Sequence, residues 1–394
     1  MNLDTIKVFQ STDGGAPVLQ GQVGSITTFL DTILGTGYNS KGVQSIAVSA
    51  GVATATYASA HGYVVDQTLL YSGANEAVFN DEFKVVSVPT STTLTFAITG
   101  APASATGTLT SKVAALNWTT AATATNQRAY CSADGRSNKP VLSVDNTLVY
   151  AKVKMFESVT SPVLGVGGDM SNCCYVSGTN QVAYGMWQSA PTAGDSLAKT
   201  WVAFGNSRVF YLLVAYGPAT TASRAWYGFG DFKSFKPGDG YNGFLMADIT
   251  YATPGSYPGT QRPFHNNFTA ELPGTVNGHV ALLRNAWGML PQPAPADKLS
   301  FNHLTNISGG GAGAPYPNLQ GNTVLTFPAY FREALGLRGI IPGAQFVYTA
   351  LPATEMGVTS PELPGRKIAL YNTPYSSTPS YLLGFDMTGP WTLP

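Results

Sequence analysis

From Val43 to Ser111 the chain alternates apolar and polar residues with a period of two, in short runs separated by turn residues. Only a strand sends successive side chains to opposite faces, so this pattern excludes helix over the segment. VQSIAVSA and VATATYAS flank Gly51 and read as a hairpin with a tight turn. TLLYSG (68–73), EFKVVSV (82–88), TTLTFAI (92–98) and ATGTLTS (105–111) follow. Between them lie His61-Gly62, Gly73-Ala74-Asn75, Pro89-Thr90-Ser91 and Gly100-Ala101-Pro102. A small sandwich or barrel is predicted over 43–113. His61 stands at a strand-to-turn junction, where Gly62 supplies backbone freedom, and a turn role is expected for it.

One segment has the period of a helix instead. In GSITTFLDTILGTGYN (24–39), Ile26, Phe29, Leu30, Ile33 and Leu34 share one apolar face. Ser25 is the expected N-cap and Gly35 the expected stop. A helix so short is marginal alone, so its face must pack on something, with the chain's own large domain preferred over a neighbouring subunit. Residues 1–42 and 114–394 then form one unit, from which 43–113 projects as an appendage.

After Trp118, TTAATATNQ reads as a linker or an extended connection. Longer strands follow in TLVYAKVKMF (147–156), TWVAFG (200–205), RVFYLLVAY (208–216), AWYGFGDF (225–232), YNGFLMADI (241–249) and GHVALLRNAW (278–287). Pro291 to Gly321 reads as an irregular loop, and AYFREALG (329–336) as one short helix. The fold class is therefore all-β: a small module plus a larger sandwich-like domain, with one short N-terminal helix.

Only 11% of the 394 residues are charged, and acids balance bases at net charge zero. An ordinary globular domain carries roughly 25%. Such a chain has no electrostatic attraction for nucleic acid or an anionic membrane, and no apolar stretch approaches a bilayer span. Its charge-poor surface instead fits a hydroxyl-rich β face or burial against other subunits, so a homo-oligomer is expected. The opening MNLDTIKVFQSTDGG is not a signal peptide, so synthesis in a cytoplasm is expected.

Candidate chemistry is sparse. Gly194-Asp195-Ser196-Leu197 spells the GDSL string of one esterase family, but no histidine has Asp three residues before it, as the base of that family needs. Asp231, Asp239 and Asp248 could supply a carboxylate pair for glycoside hydrolysis. Their aromatic neighbours Trp226, Tyr227 and Tyr241 are candidates for stacking on a glycan, including one on a host surface. SGGGAGAP (308–315) lacks the GK[ST] of a phosphate loop. Cys131, Cys173 and Cys174 have no zinc spacing, and a link from Cys131 to one of the pair stays open. No set amounts to a catalytic constellation, so neither an enzyme nor a cofactor is expected.

DGGAPVLQGQVGSITTFLDTILGTGYN resembles the opening of a family of tailed-bacteriophage structural proteins. Gly15-Ala16-Pro17, Leu19, Gly21, Gly24-Ser25 and Gly37-Tyr38-Asn39 carry the match. HGYVVDQTLLYSGANEAVFNDEFKVVSVPTSTTLTFAITG resembles a small β module common in phage tail and fibre proteins. Further matches are Phe229-Gly230-Asp231, Leu337-Arg338-Gly339 and the ending Phe385-Asp386-Met387-Thr388-Gly389-Pro390-Trp391. The resemblance implies a virion component, assembled in a host cytoplasm, whose partners are other virion proteins. It leaves head decoration, collar, tail and baseplate open.

Overall fold

A computed structural model describes residues 4–176, 180–190, 194–215, 224–248, 250–251, 280–286, 288, 290–299, 326–333, 336–347, 355–360, 363–372 and 382–391. The fold is all-β with one short helix near the N-terminus. Strand β1 (Lys7–Gln10) leads into helix α1 (Ser25–Leu30), which continues into a π-helical turn over Asp31–Thr36.

The helix face is buried as its period predicts: Ile26, Phe29, Leu30 and Ile33 are at most 2% exposed. Phe29 meets Trp201 of the large sheet edge-on, with ring centroids 4.7 Å apart. Both predicted ends need correction. Gly24, not Ser25, is the N-cap, and the Ile26 N–H donates to Asn146 Oδ1 at 2.8 Å from across the fold. The wide final turn carries the helix past Gly35 to Gly37, whose φ of 73° ends it. A Cβ at Gly37 would lie 2.2 Å from the Val113 carbonyl oxygen, so this position requires glycine twice over.

Strands β2 (Tyr38–Gly42), β3 (Ser45–Ser49), β4 (Val52–Thr56), β5 (Thr68–Ala74), β6 (Glu82–Thr90), β7 (Thr93–Ala97) and β8 (Gly107–Val113) form one sheet in the order β2-β8-β5-β6-β7-β4-β3. The sheet closes. Ala47 bridges Ser104, Ala105 N donates to Ile46 O, and Val43 N donates to Leu109 O. Closure satisfies the edge groups that an open sheet would leave bare. Ala50 and Gly51, at φ 48° and 78°, make the expected tight β3–β4 turn. One apolar core runs from the barrel interior (Ile46, Leu69, Leu94, Phe96) through the helix face to Phe210 and Leu212 of the large sheet.

Among the described residues the largest sheet has 13 strands. Its strand Val209–Ala215 is buried at every residue, with side chains alternating between two cores. Phe210, Leu212 and Val214 join the helix and barrel; Val209, Tyr211 and Leu213 join Phe244, Phe331, Phe385 and Trp391. Burial on both faces explains why VFYLLVA, residues 209–215, is an unbroken apolar run. The second core forms because the sheet curls on itself. Lys233–Ser234, just past strand Arg224–Asp231, pairs with Ile340 and Gly339, and Tyr211 donates a hydrogen bond to the Pro342 carbonyl at 2.8 Å.

A second layer covers the first core: β9 (Trp118–Ala124), β10 (Gln127–Ser132), β11 (Val141–Asp145), β12 (Ala151–Phe156) and strand Gly185–Trp187. The indoles of Trp118 and Trp187 tie the layers by donating to Asn206 O and Met246 O. The ribbon β13 (Ser158–Ser161) and β14 (Leu164–Val166) follows.

Three further sequence readings are settled by the fold. TTAATATNQ, open between a linker and an extended connection, is extended: it forms β9 and its turn, since a polar edge strand and a linker share one composition. AYFREALG is not helical: Thr326–Glu333 is a strand paired with Gly336–Val347, where sheet pairing and burial of Ala329 and Phe331 override local propensity. Ala294–Leu299, expected in a loop, is a strand paired with Val280–Leu282. The Gly-rich run 308–315 lies outside the described residues.

Phe29→Ala should cost about 3–5 kcal/mol of unfolding free energy, since it empties the contact with Trp201. Chemical denaturation followed by tryptophan fluorescence measures this. A loss below about 1 kcal/mol would place the helix outside the core.

Candidate functional site

The sequence features that stand out most meet at one place, the joint between barrel and body. Lys7 projects from β1, which joins the large sheet through the pairing of Lys7–Gln10 with Gly205–Val202. Its Nζ lies 2.6 Å from Glu82 Oε1 of β6 and donates to the Ala115 carbonyl at 2.5 Å. Both side chains of the pair are 5% exposed. Burial lowers the Lys7 pKa against the opposing pull of Glu82. A pair this deep must remain complete, because removing one partner leaves an uncompensated charge.

The joint also holds a second carboxylate and several neutral polar groups. Asp13 Oδ2 accepts from the Tyr38 hydroxyl at 2.7 Å and from the Gln10 N–H at 2.9 Å. Asn39, at φ 53°, donates from Nδ2 to the His61 carbonyl at 3.0 Å, and Tyr63 donates its hydroxyl to the Asn39 carbonyl at 2.7 Å. A Cβ on Gly14 would lie 3.0 Å from the Gly62 carbonyl oxygen, and one on Gly15 would lie 3.1 Å from Asn39 Cβ. Gly14-Gly15, Gly37-Tyr38-Asn39 and His61-Gly62, far apart in sequence, thus pack on one another.

His61 is 1% exposed and lies 5.0 and 5.4 Å from the rings of Tyr57 and Tyr63. Its Nδ1 accepts from the Tyr63 N–H at 2.9 Å, so the imidazole braces its own turn. Burial lowers its pKa below 6.5. His265, His279 and His303 lie outside the described residues.

The hydrolytic candidates are built into other structure. Asp195 pairs with Lys199, and the Ser196 carbonyl accepts from Gln20, so the GDSL string is a loop fastened to the N-terminal segment. Asp231 is 2% exposed, and burial raises its pKa to about 6 against Ser137 and Arg208. Asp239 is paired with Arg338 at 2.5 Å, and Asp248 is fully buried, accepting from the Tyr227 hydroxyl at 3.2 Å. No group of three His, Cys, Asp or Glu among the described residues is placed to hold a metal. Cys131, Cys173 and Cys174 are free thiols, and burial pushes the Cys174 thiol pKa well up.

The glycan candidates divide. Trp226 and Tyr227 are each 1% exposed core residues, so neither offers a face to a sugar. Trp226 stacks on Phe385 and Tyr227 on Trp187. Tyr241 is 38% exposed, but the Arg284 guanidinium covers one ring face at 3.7 Å, itself held by Glu157. Lys7, Glu82 and Asp13 carried no signal in the sequence, because their partners are set by the tertiary fold.

Lys7→Met should cost about 3–5 kcal/mol, and Lys7→Met with Glu82→Leu should recover most of that loss, as urea titration of the four-member cycle will measure. The pH dependence at His61 has a definite sign. Its folded pKa is depressed, so its stabilising share is whole above 6.5 and is lost as pH falls from there towards the folded value. Thermal unfolding between pH 7.5 and 5.5 should show a steeper acid loss in the natural chain than in His61→Phe, by up to about 1.4 kcal/mol per pH unit. Equal slopes would contradict a neutral buried imidazole. No protein-family model matches this sequence, and no curated protein matches it as a relative.

Proposed function

We propose that the chain is a structural subunit of a tailed-phage virion, in the tail, neck or baseplate apparatus, working through protein–protein assembly. The observation that carries this reading is the convergence of Gly15, Asn39 and Gly62 at the joint between barrel and body. These residues belong to the two stretches that resemble phage structural proteins, and the geometry gives them a packing task. What is recognisable in the sequence is therefore architecture.

The surface supports the same reading. Val18 and Leu197 are each 60% exposed and Val23 is 48% exposed. The hydrogen bonds Lys199 N to Leu19 O and Gly21 N to Asp195 O bring their segments side by side. Apolar groups left at a surface suit contact with neighbouring subunits. The partners on this reading are other virion proteins and copies of the chain, and the location is the particle, assembled in the host cytoplasm. A glycan-binding role would rest on Tyr241 alone and is the weaker reading.

Mass spectrometry of purified particles of the encoding phage should find this chain at a fixed stoichiometry, retained after high-salt washing. Its absence from intact particles would overturn the proposal.

A further inference from the structure

Five charged side chains from four segments meet where the N-terminal segment lies on the body. Arg136 donates to both oxygens of Asp4 at 3.0 Å and to Asp134 at 2.8 to 3.2 Å. Arg208, 4% exposed, lies 3.9 Å from Asp4 and 3.8 Å from Asp134. The Ser207 hydroxyl also donates to Asp134 at 2.8 Å. Asp231 completes the group: its N–H donates to the Arg208 carbonyl at 3.0 Å, and the residue is 2% exposed. Of the other charges on these elements, Lys139 is exposed, Lys233 is half-buried beyond the strand, and Asp239 is held by Arg338.

The charges do not balance. Two guanidinium groups face three carboxylates, and both ion-pair with Asp4 and Asp134. Among the described residues no cation lies within ion-pair distance of Asp231, and its buried Oδ1 has no hydrogen-bond partner. A carboxylate so placed, dry and beside Asp134, favours its neutral form. Burial accordingly raises its pKa to about 6, against Ser137 and Arg208. We propose that this cluster is a proton-operated clamp on the N-terminal segment, closed while Asp231 holds a proton and loosened when Asp231 ionises. With Asp231 neutral, two cations match two carboxylates. Once it ionises, a third carboxylate draws on the same two cations in a dry site. Asp4 leaves at least cost, because it is 34% exposed and regains water, whereas Asp134 and Asp231 stay buried. Asp4 precedes β1, so its release loosens the strand that carries Lys7 to the joint. The closed state holds the proton more tightly. The clamp therefore strengthens as pH falls through about 6 and is complete only below the ordinary 3.8. His61 acts with the opposite sign.

Carboxyl-carbon NMR of aspartate-labelled chain should give Asp231 a midpoint near pH 6. In Asp4→Asn, which removes one rival carboxylate, that midpoint should fall. Hydrogen exchange over residues 4–10, corrected for intrinsic rates, should be up to about tenfold slower at pH 5 than at pH 7.5. Asp231→Asn keeps the charges balanced, so its exchange over the same residues should be slow at both pH values. Circular dichroism and the melting temperature confirm that this variant is folded; if it is not, Asp4→Asn decides through the Asp231 midpoint. A midpoint in the ordinary carboxylate range, or one unmoved in Asp4→Asn, overturns the proposal. So does exchange over 4–10 that ignores pH, or that follows pH equally in Asp231→Asn.

Discussion

Strand Val209–Ala215 is apolar on both faces, and the architecture follows from the need to cover both. A sheet with two oily faces is soluble only as the middle layer of something. One face receives the helix, the barrel and the five-stranded layer. The other receives the curled C-terminal half of the same sheet, where Phe385 lies 4.7 Å from Phe204 and 4.9 Å from Trp226. Residues that seem free to bind ligands in one dimension, Trp226 and Tyr227, are consumed by this packing, one on each side.

The barrel depends on the same layer. Its core continues into the body through the helix, and the Lys7–Glu82 pair locks the two together. A buried ion pair contributes little net stability but penalises any arrangement that separates its members. Here it acts as a registry device: β1 can join the large sheet and still satisfy Lys7 only with the barrel seated. The glycine and asparagine turns around it allow the backbones to approach closely at Gly14, Gly15 and Gly62.

Local features were legible in the sequence and distant ones were not. The Ala50–Gly51 hairpin, the helix face and the apolar run at 208–216 each declare themselves within a few residues. The cap on α1 comes from Asn146, and Lys7 finds Glu82 across 75 positions, so no local window contains either signal. AYFREALG failed for a related reason: its helical propensity is real, and only pairing with Gly336–Val347 overrides it. β9 could be read only as a linker or an extended connection, because an uncharged edge strand and a linker look alike until a partner strand is seen. For the site, His61-Gly62 and the glycine-rich opening could be read as turns, but not that they touch.

The central claim is that barrel and body form one cooperative unit through a shared core. Native-state hydrogen exchange in rising denaturant tests it by following the amides of Leu94 in the barrel and Leu212 in the large sheet. A shared core predicts that both sets exchange through a single opening with the same free energy and denaturant slope. Barrel amides that open at a lower free energy, while the body stays protected, would contradict it.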